Sequence, residues 1–289
     1  MTRLLIVNPF ASAVDEHRLA AVRAALPAGT ETMLTTAAGE ATEIARSAGA
    51  VDAIYVFGGD GTFNEALNGV EQDVPLGFIA GGGTSVLPRA LGLPRNPGKA
   101  AQRIAEGRTR RIGLGRANGR RFGFSAGVGF DAELVRKVDE IGRRPDGRRP
   151  GDVAFVKVAS GALWGRHGRF DEQLEVEGAG RAAFVLVANC SPYTYAGTVA
   201  LDLVPGASFD DGLAYVAPVS LRARDLPRLL LRGARGSGLK DERTLAARDL
   251  DGIVVHCDGP LPLQVDGEDT GDVRDVVYEA ERDAVTVFV

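Results

Sequence analysis

Hydrophobic and polar positions alternate in blocks over the first third of the chain. Short, nearly continuous apolar runs are typical of buried strands, and apolar residues at helical spacing are typical of amphipathic helices. The strand-like runs are RLLIVN, TETMLTT, DAIYVFG and PLGFIA, and the helical segments that follow them are EHRLAAVRAAL, EATEIARSAG, TFNEALNGV and GKAAQRIAEG. This order predicts a parallel sheet covered by helices on both faces.

The pattern changes after about residue 110. A hairpin-like segment and one helix, FDAELVRKVDEIG, are followed by short strands that turn residues separate. These strands are AAFVLVANC, GLAYVAPV, GIVVHC, LPLQVD, VRDVVYEA and AVTVFV. We therefore predict an α/β fold, with a nucleotide-type parallel-sheet domain at 1–118 and a β-sandwich-like domain at 119–289. The last strand is a candidate to return to the first domain.

Composition and charge limit the classes of protein to which this chain can belong. Hydrophobic residues make up 45% and charged residues 25%, as in ordinary globular proteins. A formal net charge of -4 gives no overall argument for binding nucleic acid. The two cysteines form no CxxC pair, which indicates a reducing compartment. No apolar run approaches a membrane span, so we expect a cytoplasmic protein, with peripheral contact at a membrane as the further option.

Two glycine-rich loops follow predicted strands. Gly58-Gly59-Asp60-Gly61 precedes a capping box of Thr62 and Glu65, which predicts a helix start. A second loop, residues 81–84, follows PLGFIA. Loops at the ends of neighbouring parallel strands face one crevice, and helix N-termini there favour phosphate. Asp60 would repel phosphate unless a cation lies between them, so the pattern predicts a metal-dependent nucleotide site. The alternative is an ordinary Asp-Gly turn.

Six segments together resemble the diacylglycerol kinase and sphingosine kinase catalytic superfamily, in its bacterial lipid-kinase branch. They occur in the family's order and are TTAAGEA (35–41), GGDGTFNEALNG (58–69), GGGTSVLPRALGLP (81–94), GVGFDAELV (127–135), DDGLAYV (210–216) and QVDGED (264–269). The resemblance implies a phosphofructokinase-like nucleotide domain followed by a β-sandwich. It also implies a kinase that uses ATP and Mg²⁺ to phosphorylate a lipid hydroxyl.

The resemblance assigns roles to individual side chains. Glu268 would be the general base, Asp60 would belong to a network that reaches the catalytic magnesium, and Asp131 matches an acid that holds the substrate hydroxyl in the sphingosine branch. The ATP would be lined by Asn8, Thr35, Gly58, Gly59, Asp60, Gly61, Thr62, Asn64, Glu65, Gly83 and Thr84. A metal site would combine Asp211 with the backbone carbonyls of Ser208 and Leu213.

Plainer interpretations of the late motifs stay open. Asp266-Gly267 alone predicts a turn between strands, and Glu268 would then be a surface residue. Asp211-Gly212 is likewise a good turn pair, and Asp131 is a candidate helix cap.

The sequence departs from the family pattern in two loops. NPFASA lacks the glycine that usually follows NP, and Ser85-Val86 stands where an asparagine is usual. An alternative function is therefore a nucleotide- or lipid-binding regulatory protein with a weakened kinase site. A remote alternative is a serine hydrolase, because GFSAG (123–127) matches G-x-S-x-G around Ser125 and His256 lies downstream. That reading leaves both glycine loops unexplained.

A basic helix is the candidate for membrane contact. From residue 219 to 248 the chain has eight Arg or Lys against three acids. Within DLPRLLLRGAR (225–235), Arg228, Arg232 and Arg235 share one helical face, as in helices that lie on anionic lipid. An ordinary surface helix is the alternative. The sequence leaves the lipid acceptor and the oligomeric state open, and a dimer is compatible with it.

Overall fold

The computed structural model describes residues 2–70, 73–140, 169–239 and 243–289. The chain forms two compact units, Met1–Ile112 with Asp283–Val289, and Gly113–Arg282. The C-terminal segment thus belongs to the first unit. The functional domain limits at residue 118 stay a prediction.

The first unit is built on four parallel strands, β1 (Arg3–Val7), β2 (Thr30–Leu34), β3 (Ala53–Gly58) and β4 (Leu76–Ala80). They lie in the order β2-β1-β3-β4, with Val287 of the last strand of the chain paired to Leu76 of β4. Its helices are α1 (Glu16–Ala25), α2 (Glu40–Ser47), α3 (Asp60–Gly69), α4 (Val86–Ala90) and α5 (Pro97–Ala105). The predicted alternation of strands and helices is confirmed.

Burial explains the order of the strands. Every residue of β3 and β4 is buried, as expected for strands in the middle of a covered sheet, whereas the edge strand β2 begins with three polar residues and is mostly exposed. In register, Val7 lies beside Phe57 and Phe57 beside Ile79. The ring of Phe63 on α3 packs against Phe78 of β4 with their centroids 5.3 Å apart. The helix that follows the first glycine loop is therefore anchored on the sheet.

The second unit is rich in antiparallel strands, as predicted. The strands are β5 (Thr109–Ala117), β6 (Arg120–Phe122), β7 (Ser125–Val128), β8 (Arg169–Phe170), β9 (Leu174–Val176), β10 (Gly180–Ala182), β11 (Val185–Ala188), β12 (Thr194–Ala196), β13 (Val199–Leu201), β14 (Leu213–Pro218), β15 (Leu221–Arg222), β16 (Thr244–Leu250), β17 (Gly252–Val265) and β18 (Glu268–Phe288). Strands β16, β14, β11, β7 and β17 pair in that order, and β17 also pairs with β9 and β18. The helices here are α6 (Phe130–Glu140) and α7 (Leu226–Ala234), the second preceded by a 3₁₀ turn at Ala223–Asp225.

Alternating side chains of these strands form cores on opposite faces. Val185 and Val187 of β11 point into a cluster with Tyr278 and other strand residues, while Leu186 points to a cluster with Phe130 of α6. The α/β fold class is therefore confirmed, with a β-rich unit after the parallel sheet.

The prediction of four separate strands at the end of the chain is wrong, because these segments form two long strands. GIVVHC and LPLQVD form β17, in which the pairing register shifts between His256 and Leu261, so an irregularity replaces the predicted turn. VRDVVYEA and AVTVFV form β18, in which Asp283 is the one non-glycine residue with a positive φ, of 49°. Glu281, Arg282 and Asp283, between the last two apolar runs, are residue types typical of a turn, yet they lie within the continuous strand β18.

Candidate active site

The first glycine loop joins β3 directly to α3. Strand β3 ends at Gly58, Gly59 is the extended N-cap residue, and α3 begins at Asp60. A Cβ atom on residue 58 would lie 2.8 Å from the side chain of Thr62, so glycine is required by the close approach. The loop presents the first N–H groups of α3 at the end of a buried strand. This arrangement favours phosphate.

The capping box predicted from Thr62 and Glu65 is wrong. Helix α3 begins earlier, with Gly59 as its N-cap, and no side chain caps it. The Glu65 carboxylate instead accepts hydrogen bonds from the backbone N–H groups of Gly39 at 2.8 Å and Ala41 at 3.1 Å. Glu65 therefore holds the TTAAGEA segment at the start of α2, and its contact with ATP stays a prediction.

Asp60 connects the two glycine loops. Its Oδ1 accepts a hydrogen bond of 2.7 Å from the backbone N–H of Val86, the first residue of α4. The loops also approach through their backbones, because a Cβ atom on Gly82 would lie 3.0 Å from the Cα of Gly59. The carboxylate of the first loop thus fixes the second loop. The predicted meeting of the two loops is confirmed.

The other predicted nucleotide contacts include accessible and buried side chains. Asn8 is half-buried, and its Nδ2 donates to Thr62 Oγ1 at 3.0 Å, which brings these two predicted residues together. Thr35 is buried, and its backbone N–H donates to the carbonyl of Val7 at 2.8 Å. Asn64 is fully buried, so the structure places it in the interior of the unit rather than on the loop surface.

A cleft of about 390 Å³ opens beside the second loop. Its walls include Gly83 and Thr84, both predicted to line ATP, and two arginines that the sequence analysis missed, Arg18 and Arg95. Arg95 is exposed and forms no ion pair within the described ranges. Guanidinium groups bind phosphate through directed, charge-assisted hydrogen bonds. The cleft therefore suits an anionic ligand.

Ser85 lies in the left-handed backbone region, with φ 48° and ψ 64°. Asparagine tolerates this conformation better than serine does, so the departure from the family pattern places strain in the second loop. The buried hydroxyl lies 3.3 Å from both the backbone nitrogen and the carbonyl oxygen of Gly82. The Ser85 hydroxyl is therefore bonded within its own loop.

The first unit offers one carboxylate at the loop junction. Across the described segments, no three His, Cys, Asp or Glu side chains form a cluster that could hold a metal ion. Proteins often bind Mg²⁺ through one or two carboxylates together with substrate phosphates, rather than in a cage of protein ligands. Asp60 fits that arrangement.

In the second unit, Asp266 and Gly267 form the two-residue turn of the β17–β18 hairpin. Both have positive φ, 48° and 77°, and Val265 pairs with Glu268 across them, as in a type I′ turn. The turn predicted from Asp-Gly is confirmed. Asp266 has a second role that the sequence did not reveal. The side chain is 3% exposed, and its carboxylate accepts from the backbone N–H groups of residues 123–125 at 2.7, 3.0 and 3.1 Å.

Glu268 is the first residue of β18, directly after this turn. The half-buried side chain forms an ion pair in which Glu268 Oε2 lies 2.7 Å from a guanidinium nitrogen of Arg120. The next residue, Asp269, accepts two hydrogen bonds from Arg136 of α6 at 2.7 and 3.0 Å, and these lower the pKa of Asp269. The hairpin is therefore anchored on both sides of Glu268. A general base needs such a fixed position.

Asp131 lies in the first turn of α6 but does not cap that helix. Its Oδ2 accepts a hydrogen bond of 2.6 Å from the hydroxyl of Tyr193 and one of 2.8 Å from Nε2 of Gln264. Burial raises the pKa of the Asp131 carboxyl, and these two hydrogen bonds oppose that rise. Within the part of the chain that the structure describes, no donor reaches Oδ1. Tyr193 and Gln264 are therefore positioning residues that the sequence analysis missed.

Asp211 lies in an exposed turn before β14. Its backbone N–H donates to the carbonyl of Ser208 at 3.1 Å, so these two predicted ligands share one tight turn. Leu213 is buried as the first residue of β14. No cluster of three metal-ligating side chains occurs here or elsewhere in the described residues. The metal site stays a prediction.

The structure contradicts the serine hydrolase alternative. Ser125 is 2% exposed and begins strand β7, whereas a nucleophile elbow places an exposed serine between a strand and a helix. Among the described residues, no hydrogen bond joins Ser125 to a histidine, and its backbone N–H donates to the Asp266 carboxylate at 3.1 Å. His256 is exposed on β17, and its Nδ1 lies 2.7 Å from Asp275.

Comparisons with known proteins give a consistent picture. The family model of the diacylglycerol kinase catalytic domain matches residues 2–117. A diacylglycerol kinase of Bacillus subtilis is 42% identical over 115 residues, which make up 38% of each chain, so the chain spans well under half of that relative. A diacylglycerol kinase of Staphylococcus carnosus is 26% identical over 224 residues, 74% of this chain and 69% of that protein.

A solved structure extends the similarity over both units. The crystal structure of a diacylglycerol kinase from Bacillus anthracis aligns with a TM-score of 0.70 and 23% identity, covering 99% of this chain and 96% of the other. At this identity the likeness concerns the fold alone.

Proposed function

We propose that this chain is an ATP-dependent lipid kinase of the diacylglycerol kinase family that phosphorylates a lipid hydroxyl, since the family's catalytic-domain model matches its residues 2–117. The observation that carries the proposal is the junction of the glycine loops. There the carboxylate of Asp60 is bonded to the N–H of Val86, beside a cleft that contains Arg18 and Arg95. A preformed loop junction with nearby guanidinium groups supports binding of a nucleotide polyphosphate.

On the nucleotide side, we assign binding to the backbone N–H groups of the glycine loops, to Thr84 and to the two cleft arginines. Asn8 and Thr62 hold each other at the edge of the first loop, so their polar groups are already oriented. Asp60 is the residue that would hold Mg²⁺. Bound Mg²⁺ would neutralise phosphate charge during transfer, which is the main electrostatic requirement of this chemistry.

On the acceptor side, we assign recognition of the lipid hydroxyl to Asp131. Tyr193 and Gln264 both donate to Oδ2, so the carboxylate is fixed while Oδ1 keeps its capacity to accept from a ligand. A hydroxyl that donates to Oδ1 is oriented by this contact. Glu268, on its anchored strand, would take the proton of the acceptor hydroxyl. The roles of Asp131 and Glu268 rest on the family resemblance, and their rigid placement supports them.

The test is transfer of label from γ-labelled ATP, with Mg²⁺, into a panel of lipid extracts, followed by organic extraction. We expect label in at least one lipid class, and none when Mg²⁺ is omitted. The labelled class identifies the acceptor, since diacylglycerols, sphingoid bases and glycolipids all offer an alcohol. Absence of labelled lipid while the protein still binds ATP would contradict the kinase proposal.

The second candidate function is a nucleotide- or lipid-binding regulatory protein. The strained, self-bonded Ser85 in the second loop favours it, because that loop departs from the family pattern where it meets Asp60. ATP binding without turnover, with a lipid that changes the affinity for ATP, distinguishes this protein from a kinase.

Replacing Tyr193 with Phe should move the acidic limb of the transfer rate to higher pH. The hydroxyl of Tyr193 lowers the pKa of Asp131 by donating to its carboxylate, so its loss raises that pKa and the carboxyl becomes protonated at higher pH. Losing a hydrogen bond to a charged group should also reduce kcat/KM about tenfold. Both effects are read from a pH profile of kcat/KM.

Tyr215→Phe is the matched control. Tyr215 is a buried tyrosine of the same unit, and no bond joins it to Asp131. An unchanged profile for Tyr193→Phe, or the same shift in both variants, would remove Tyr193 from acceptor recognition.

A further inference from the structure

Helix α7 carries a basic face built around an exposed leucine. Arg228, Leu231, Arg232 and Arg235 are spaced i, i+3, i+4 and i+7, so they share one side of the helix and its C-terminal turn. Arg228 and Arg235 are exposed, and Leu231 is 50% exposed. The structure thus adds an apolar residue to the basic face that the sequence indicated.

The opposite side of α7 packs against the second unit. Leu229 contacts the core cluster of that unit, as does Leu203. Gly233 lies so close to Leu203 that a Cβ atom on it would be 2.7 Å from a leucine methyl group, and its carbonyl accepts from the N–H of Asp202 at 3.0 Å. Because Leu229 and Gly233 face inward, the arginine face points away from the core.

The positive charge of this face is not neutralised within the described residues. There, none of Arg228, Arg232 and Arg235 forms an ion pair, and the nearest pair along the chain joins Arg224 to Asp225 at 3.9 Å. The chain as a whole carries a net charge of -4, so the patch is a local departure from the overall charge. Charge complementarity therefore favours an anionic partner.

Exposed aliphatic side chains near the arginines favour a lipid surface over other anionic partners. Leu231, which is 50% exposed, lies among the arginines of α7, and the neighbouring strand β13 carries a further exposed aliphatic residue, Val199. Basic side chains around exposed aliphatic ones are the signature of elements that lie in the headgroup region of a bilayer. No helix among the described residues is long and apolar enough to cross a membrane.

We propose that the face formed by Arg228, Leu231, Arg232 and Arg235 docks the protein onto an anionic lipid bilayer. The arginines contact lipid phosphates, and Leu231 enters the boundary between headgroups and acyl chains. The proposal concerns binding to the bilayer alone, so it stands or falls separately from the kinase activity.

The experiment is co-sedimentation of the full chain with phosphatidylcholine vesicles that contain or lack phosphatidylglycerol. We expect binding only in the presence of phosphatidylglycerol, weakened by added salt. Each arginine near such a surface contributes about fivefold in affinity, so the triple change R228Q, R232Q and R235Q should weaken binding about 100-fold. L231S should weaken binding by a smaller factor while retaining the salt dependence.

The control removes the same number of charges elsewhere, with R46Q, R103Q and R274Q on exposed arginines outside α7. We expect this variant to bind like the unmodified chain. Equal loss of binding in the control would assign the effect to overall charge and overturn the proposal. The proposal would also be overturned if the unmodified chain bound equally well without phosphatidylglycerol, or bound no vesicles at all. A thermal melt of each variant confirms that α7 changes leave the fold intact.

Discussion

Glu268→Gln should lower lipid phosphorylation about 10²- to 10⁴-fold while leaving ATP binding unchanged. Glutamine has nearly the same shape as glutamate but does not accept a proton. Glu268 sits between two anchors of the hairpin, the Asp266 turn before it and the Asp269–Arg136 pair after it, so the substitution should not move the backbone. The measurements are the rate of label transfer and the Kd for ATP.

The ion pair with Arg120 supplies the control. Side chains of Arg120 and Glu268 are 37% and 30% exposed, and an ion pair at such a site contributes about 1 kcal/mol or less. Arg120→Gln should therefore reduce transfer by less than tenfold. An Arg120→Gln effect as large as that of Glu268→Gln would assign the loss to the ion pair. Near-normal transfer by Glu268→Gln would remove Glu268 from the mechanism.

The sequence predicted the first unit well because its pattern of apolar and polar residues is compatible with one arrangement of strands and helices. Continuous apolar strands such as 53–58 are stable only when covered on both faces, and amphipathic segments between them supply that cover. The location of the glycine loops follows from this order, since each comes at the end of a buried strand. The fold and the loop junction were therefore predictable from local patterns.

The partners of individual side chains were not predictable in the same way. Glu65 matched a capping box by spacing, yet its carboxylate bonds to Gly39 and Ala41, which a different helix brings alongside. Arg18 and Arg95 lie far apart in the sequence and line one cleft only because α1 and the loop before α5 lie on the same side of the sheet. Tyr193 reaches Asp131 across a separation of 62 residues. Such contacts depend on tertiary packing, which periodicity does not encode.

Asp266 has one role that the sequence predicted and one that it did not. Its backbone role was predictable, because Asp-Gly between two strands favours a turn with positive φ. The role of its side chain was not predictable, because the three N–H groups that donate to the carboxylate belong to a segment more than 140 residues earlier. A polar residue in a turn is normally exposed, and only the structure shows that this one is buried.

Asp266→Ala should destabilise the protein by about 3–5 kcal/mol, because it leaves three buried N–H groups without their acceptor at about 1–3 kcal/mol each, less what entering water recovers. That is a large share of the 5–15 kcal/mol that holds an ordinary domain folded.

Asp266→Asn keeps the shape of the side chain and tolerates the positive φ. It should therefore lower the free energy of unfolding by less, about 1.5–3 kcal/mol, because one charged acceptor becomes neutral. Asp283→Ala is the matched control, since Asp283 has almost the same φ of 49° but is exposed. The control reports the backbone cost alone, about 1 kcal/mol. Urea unfolding of the three variants measures these values. If Asp266→Ala lost no more stability than Asp283→Ala, the carboxylate would not be what holds residues 123–125 beside the hairpin that carries Glu268.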